Sequence, residues 1–77
     1  MIFSVMILVF KNSIWKIFKK GKTPRLIAVV GIWATGFADK YQPVAYDLKD
    51  QTTGSIITIS REKMLDLIES GRMIREQ

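Results

Sequence analysis

Hydrophobic and polar positions alternate along this chain with a changing period, and each change marks an element. Met1–Phe10 (MIFSVMILVF) is apolar on nearly every side, so periodicity leaves it open between a backward extension of the next helix and a strand of its own. From Asn12 to Lys20 the pattern becomes helical at about 100° per residue. Ile14, Ile17 and Phe18, with Trp15 at their edge, share one sector, while Asn12, Ser13, Lys16, Lys19 and Lys20 share the other. That spacing predicts a short amphipathic helix, capped by Asn12 or Ser13 and closed at Gly21, with basic residues in its last turn. Joined to the apolar run, it predicts one helix over about 3–20.

Thr23-Pro24 ends this element, because Pro removes a donor and biases Thr23 to extended geometry. Arg25–Ala34 (RLIAVVGIWA) then reads as a well-buried strand, with Gly31 marking a bulge or a close approach. A polar loop runs over Thr35–Pro43. Val44–Lys49 and Ser55–Ile59 alternate strictly across the turn Asp50-Gln51-Thr52-Thr53-Gly54, which predicts a β-hairpin over 44–59. Ser60 caps a final helix over 60–70 whose buried stripe is Met64, Leu65, Leu67 and Ile68. Gly71 supplies its left-handed end, and Met73-Ile74 returns as a short edge strand or packed tail. The expected fold is therefore α+β: a small antiparallel sheet of three to four strands, with an N-terminal and a C-terminal helix packed on one face. Residues 1–22 form its apolar-then-basic N-terminal segment and 23–77 its compact hairpin–helix core, all within one domain.

Composition narrows what such a domain can do. With no Cys and no His, the 77 residues hold neither a disulfide nor the ligands of most transition-metal sites. A core this small is thin, which favours association, and residues 2–10 are the apolar stretch that would associate. The apolar run is too short and too interrupted by Lys11, Asn12, Ser13 and Lys16 for a membrane-spanning helix. No basic region precedes it, as a secretory signal requires. Absence of Cys fits a reducing, cytoplasmic setting, with association at a membrane surface as the variant.

Chemistry-bearing motifs are scarce. Ser13-Ile14-Trp15-Lys16 spells the SxxK pattern of serine acyl enzymes, but those need a two-domain cleft and further motifs. An N-cap Ser followed by a surface Lys explains it. Gly31–Gly36 lacks the Lys-Ser/Thr ending of a phosphate loop. Glu62, Asp66 and Glu69 share a face of the last helix, interspersed with Arg61 and Lys63, as a solvated face would be. No catalytic residue, metal ligand or cofactor site is assigned, and the expectation is a non-enzyme.

The charge distribution is more informative. Residues 1–38 hold six Lys/Arg and no acid, whereas 39–77 hold six Lys/Arg and seven Asp/Glu. The whole excess of +5 thus belongs to the first half, a pointer to nucleic acid or an anionic membrane. The candidate binding residues are Trp15, Lys16, Lys19, Lys20, Lys22 and Arg25. On nucleic acid the cations would neutralise phosphates while Trp15 stacks on unpaired bases. On an anionic membrane Trp15 and Phe18 would insert beneath the lysines. The plainest alternative puts Trp15, Ile17 and Phe18 in the core and leaves the lysines exposed.

The layout Tyr46-Asp47-Leu48, Thr53-Gly54, Ser60, then Leu67-Ile68-Glu69-Ser70-Gly71-Arg72-Met73-Ile74 resembles that of small uncharacterised bacteriophage and mobile-element proteins of bacteria. The resemblance covers about 25–74 and carries over no active-site residue. It implies a compact, non-catalytic interaction module that binds a host protein. The apolar N-terminus departs from that layout, leaving either an added anchor or a start at Met6. Nucleic-acid binding by the basic N-terminal third is the first alternative, and membrane anchoring by residues 2–20 the second.

Overall fold

The computed structural model of the chain describes residues 9–36 and 40–76. Strands β1 (Ile14–Ile17), β2 (Arg25–Thr35), β3 (Gln42–Asp50) and β4 (Ile56–Ser60) precede helix α1 (Arg61–Glu69) and strand β5 (Met73–Arg75). They build one five-stranded antiparallel sheet in the order β4-β3-β2-β1-β5. The first four strands meander. Helix α1 then carries the chain across one face, from β4 at one edge to β5 at the other.

This corrects the expected architecture: the sheet has five strands, not three or four, and α1 is the one helix among the described residues. Ile14–Ile17 is a strand where an amphipathic helix over 12–20 was expected. Over four residues the helical and extended periods cannot be told apart, since both place Trp15 and Ile17 away from Lys16. The neighbours decide. The strand β2 needs a partner along its first half, and β1 supplies it from Ile14↔Ala28 to Ile17↔Arg25. On the other side β1 takes β5, with Trp15↔Arg75 and Ile17↔Met73. The β-branched and aromatic residues of IWKI also suit a pleated surface better than a helix. Ser13 is no helix cap; it is buried, donating its hydroxyl to the Phe10 carbonyl and accepting from Trp15 Nε1 at 2.9 Å. Residues 9–13 and 18–20 of the expected 3–20 helix are loop and turn, while residues 3–8, and with them most of the associating stretch 2–10, lie outside the described residues.

The second half follows its sequence closely. In the β3–β4 turn the Asp50 side chain accepts from the Thr52 and Thr53 amides, and Gly54 takes a φ of 78°. Such a left-handed backbone favours Gly. Ser60 is both the last residue of β4 and the cap of α1, its hydroxyl accepting the Lys63 N–H at 3.1 Å. Strand therefore passes into helix without a loop. Met64 and Leu67 face the sheet fully, with Leu65 and Ile68 at the margins, and Gly71 turns the chain at a φ of 78°. The core beneath α1 joins Trp15, Ile27, Val29, Tyr46, Leu48, Met64, Leu67 and Met73.

Candidate functional site

Among the described residues, a helix covers only one face of the sheet. Cross-strand partners point the same way, so the register assigns each side chain to a face. The uncovered face is built of four rows: Ile74–Lys16–Leu26, then Ile14–Ala28–Lys49–Ile56, then Gly31–Asp47–Thr58, then Trp33–Ala45–Ser60. Leu26, Ile56, Ile74 and Trp33 are exposed, Trp33 by 58%.

The last two rows depend on a β-bulge. Val29 pairs with Leu48 but Gly31 with Asp47, leaving Val30 as an extra residue in β2. An extra residue inverts the alternation beyond it. Trp33 would otherwise share the inner face with Ile27 and Val29; the bulge turns it outward. Gly31 is needed there for room, because a Cβ would stand 2.7 Å from Asp47 Oδ2. Asp47 Oδ1 accepts from the Thr58 hydroxyl and from Trp33 Nε1 at 3.0 Å, tying β2, β3 and β4 together. These hydrogen bonds, that of Thr58 first and that of Trp33 second, hold the Asp47 carboxyl below its ordinary pKa. The exposed indole is thereby fixed in orientation.

The six basic-segment candidates do not converge. Trp15 is 4% exposed and belongs to the core, so its ring is not available for stacking or insertion. Lys16 lies on the open face, 3.6 Å from Glu76. Arg25 points to the opposite side and pairs with Asp50 at 2.9 Å, lowering the Asp50 pKa chiefly through that hydrogen bond and next through the Thr52 amide. Lys19, Lys20 and Lys22 remain together in the β1–β2 turn, exposed and without an ion-pair partner among the described residues. Trp33 stands at the far end of β2 from them, about 25 Å away along the strand. The aromatic and the lysines are therefore separate features.

Asp66 pairs with Arg72 at 2.9 Å, and no metal-ligating group of three gathers among the described residues. An open pocket of about 240 Å³ between the start of β3 and the start of α1 is lined by Gln42, Pro43, Val44, Ser60, Arg61 and Glu62. Burial pushes the pKa of Tyr46 up, partly offset by Arg61. No helix among the described residues is long and apolar enough to cross a membrane.

Sequence reasoning missed Trp33, Asp47 and Thr58 as a unit. The signal was Gly31: a bulge there reassigns the face of every later residue in β2. No family model matches the chain, and neither a curated protein nor a solved structure does.

Proposed function

We propose that the protein is a non-catalytic interaction module that binds a partner protein on the open face of its sheet. The observation that carries this reading is the asymmetry of the two faces. One is covered by α1 over its centre, leaving Ile57 bare at its β4 margin, while the other exposes Leu26, Ile56, Ile74 and a Trp33 held in place by Asp47. Large exposed apolar side chains on a monomer's regular face mark interaction sites, and a rigid Trp is a common anchor of such interfaces. The phage-protein resemblance adds that the partner is a protein of the bacterial host. Affinity capture with the wild-type chain, Trp33→Ser and Leu26→Ser tests this, each variant first shown folded by circular dichroism. The wild type retains a partner that both variants lose, and that the triple variant Lys19→Ala, Lys20→Ala, Lys22→Ala keeps. Capture that survives both face variants and fails with the lysine variant refutes the reading.

A second reading rests on the lysine turn. Lys19, Lys20 and Lys22, without an ion-pair partner among the described residues, offer a cationic site to a polyanion, nucleic acid first and an anionic membrane surface second. With three phosphate contacts, log K against log [salt] falls with a slope of about −3 on duplex DNA. Replacing Lys19 and Lys20 by Ala makes it shallower by about two. A flat salt dependence removes this reading.

A further inference from the structure

We infer that β4 is a self-association edge through which two copies of this chain pair antiparallel into one continuous sheet. Edge strands are ordinarily guarded by brevity, charge, Pro or a bulge. The β5 edge is guarded: it has three residues, with Arg75 within it and Arg72 just before. The β4 edge is not. Its sequence is Ile-Ile-Thr-Ile-Ser, without charge or Pro, and it pairs with β3 in unbroken register from Lys49↔Ile56 to Ala45↔Ser60.

The ladder fixes which backbone groups are free. Asp50 N–H donates to the Ser55 carbonyl at 2.8 Å, so that pair is a hydrogen-bonded one. Antiparallel pairs alternate, which makes Leu48–Ile57 and Tyr46–Ile59 the next hydrogen-bonded pairs. The backbone groups of Ile56, Thr58 and Ser60 therefore aim outward. A two-fold axis perpendicular to the sheet pairs residues of equal facing, and centring it on Thr58 engages the entire strand. Thr58 then exchanges both backbone hydrogen bonds with Thr58 of the second copy. Ser60 N–H reaches the opposite Ile56 carbonyl, while its own carbonyl stays with α1 as the cap residue's does.

Side chains agree with that register. Ile57 sits on the inner face beyond the reach of α1 and is 59% exposed. Across the axis it meets Ile59 of the second copy in the closer, non-hydrogen-bonded type of pair, extending the core from one chain into the next. Thr58 faces Thr58 on the outer face, a favourable cross-strand pair. Charge permits the approach as well: residues 39–77, which carry β4, hold six Lys/Arg and seven Asp/Glu, and the lysine turn lies toward the opposite edge. A strand of another protein would satisfy the same backbone groups, but self-pairing also matches isoleucine to isoleucine at the margin of the inner face that α1 does not reach.

A contact this short falls at the small end of specific interfaces, so the dissociation constant is on the order of 100 μM. Sedimentation equilibrium and amide hydrogen exchange on the full chain, across roughly 10–500 μM around that value, provide the test. A monomer–dimer equilibrium is expected, with the Thr58 and Ser60 amides slowing as concentration rises. The Ile57 and Ile59 amides, bonded to β3, are protected at every concentration. Ile57→Lys, at an exposed position, weakens the dimer about tenfold by placing a cation at the seam. Added salt leaves the dimer intact, unlike polyanion binding. A chain monomeric throughout, with Thr58 and Ser60 exchanging at a constant rate, overturns the inference. So does a dimer indifferent to Ile57→Lys, which places the contact in residues 2–10 or on the open face.

Discussion

The inner and outer faces of the sheet are made from the same strands, yet they are built to different ends. Inside, Val29, Met64 and Met73 are sealed from solvent and the side chains come from every element of the fold. Outside, Leu26, Ile56, Ile74 and Trp33 stand exposed among Lys16, Lys49 and Asp47, and Trp33 is held there by a hydrogen bond to Asp47 rather than by burial. The inner face is what the domain needs in order to fold. The outer one leaves large apolar side chains exposed in a domain of 77 residues that has little core to spare.

The sharpest way to break this contrast is to truncate one residue on each side. Met64→Ala removes a side chain with no exposed area and costs about 2–5 kcal/mol. A domain of this length holds roughly 4–12 kcal/mol in all. Trp33→Ser and Leu26→Ser, on the outer face, cost under about 1 kcal/mol. Urea denaturation of the three variants measures the difference. Equal losses would mean that the outer face is structural and its exposure incidental.

A smaller effect probes the bulge that turns Trp33 outward. Gly31→Ala drives a methyl against Asp47, whose carboxylate cannot swing aside without loosening Trp33 and Thr58. Overpacking of this kind costs about 1 kcal/mol or somewhat more. Asp47→Ala in the same chain relieves the crowding, so the double variant should lose less than the sum of the single ones. Additive losses would show that Gly31 is required for its backbone alone.

The smallest expected effect is in acid. Asp47 and Asp50 both have carboxyl pKa values lowered in the folded chain, Asp47 by Thr58 and then Trp33, Asp50 by Arg25 and then Thr52. Lowered folded values mean that their contribution is fully present above the ordinary carboxylate range near pH 4 and is lost as pH falls through the folded values. Asp47→Asn and Asp50→Asn should each flatten the acid limb of a stability–pH profile slightly. An unchanged limb would separate these hydrogen bonds from stability.

How legible all this was in the sequence varied with how local the deciding physics is. The hairpin and α1 were readable because Asp50, Gly54, Ser60 and Gly71 act within a few residues of themselves. The strand β1 was not, because its state is decided by Ala28 and Met73, far away in the chain. Trp15 and Trp33 show the same limit at the site. Beside its lysines Trp15 read either as a surface aromatic or as core, and the strand period turned it inward. Within an apolar run Trp33 looked like core, but one extra residue at the bulge turned it outward. The basic segment was visible as composition, whereas its dispersal over a turn and two faces was not.

The adjacency of β1 and β5 bears on the order in which the chain acquires its structure. Trp15 pairs with Arg75, and Met73 fills a core position 1% exposed, so the first strand and the last are sealed by one another. A nascent chain that has emitted β1 through α1 therefore still lacks a cover for β1 and a plug for its core. Contacts of such long sequence separation are also those that slow folding. Until residues 73–75 clear the ribosome, β1 lacks the partner strand that it has in the folded chain, so that edge of the sheet is completed last.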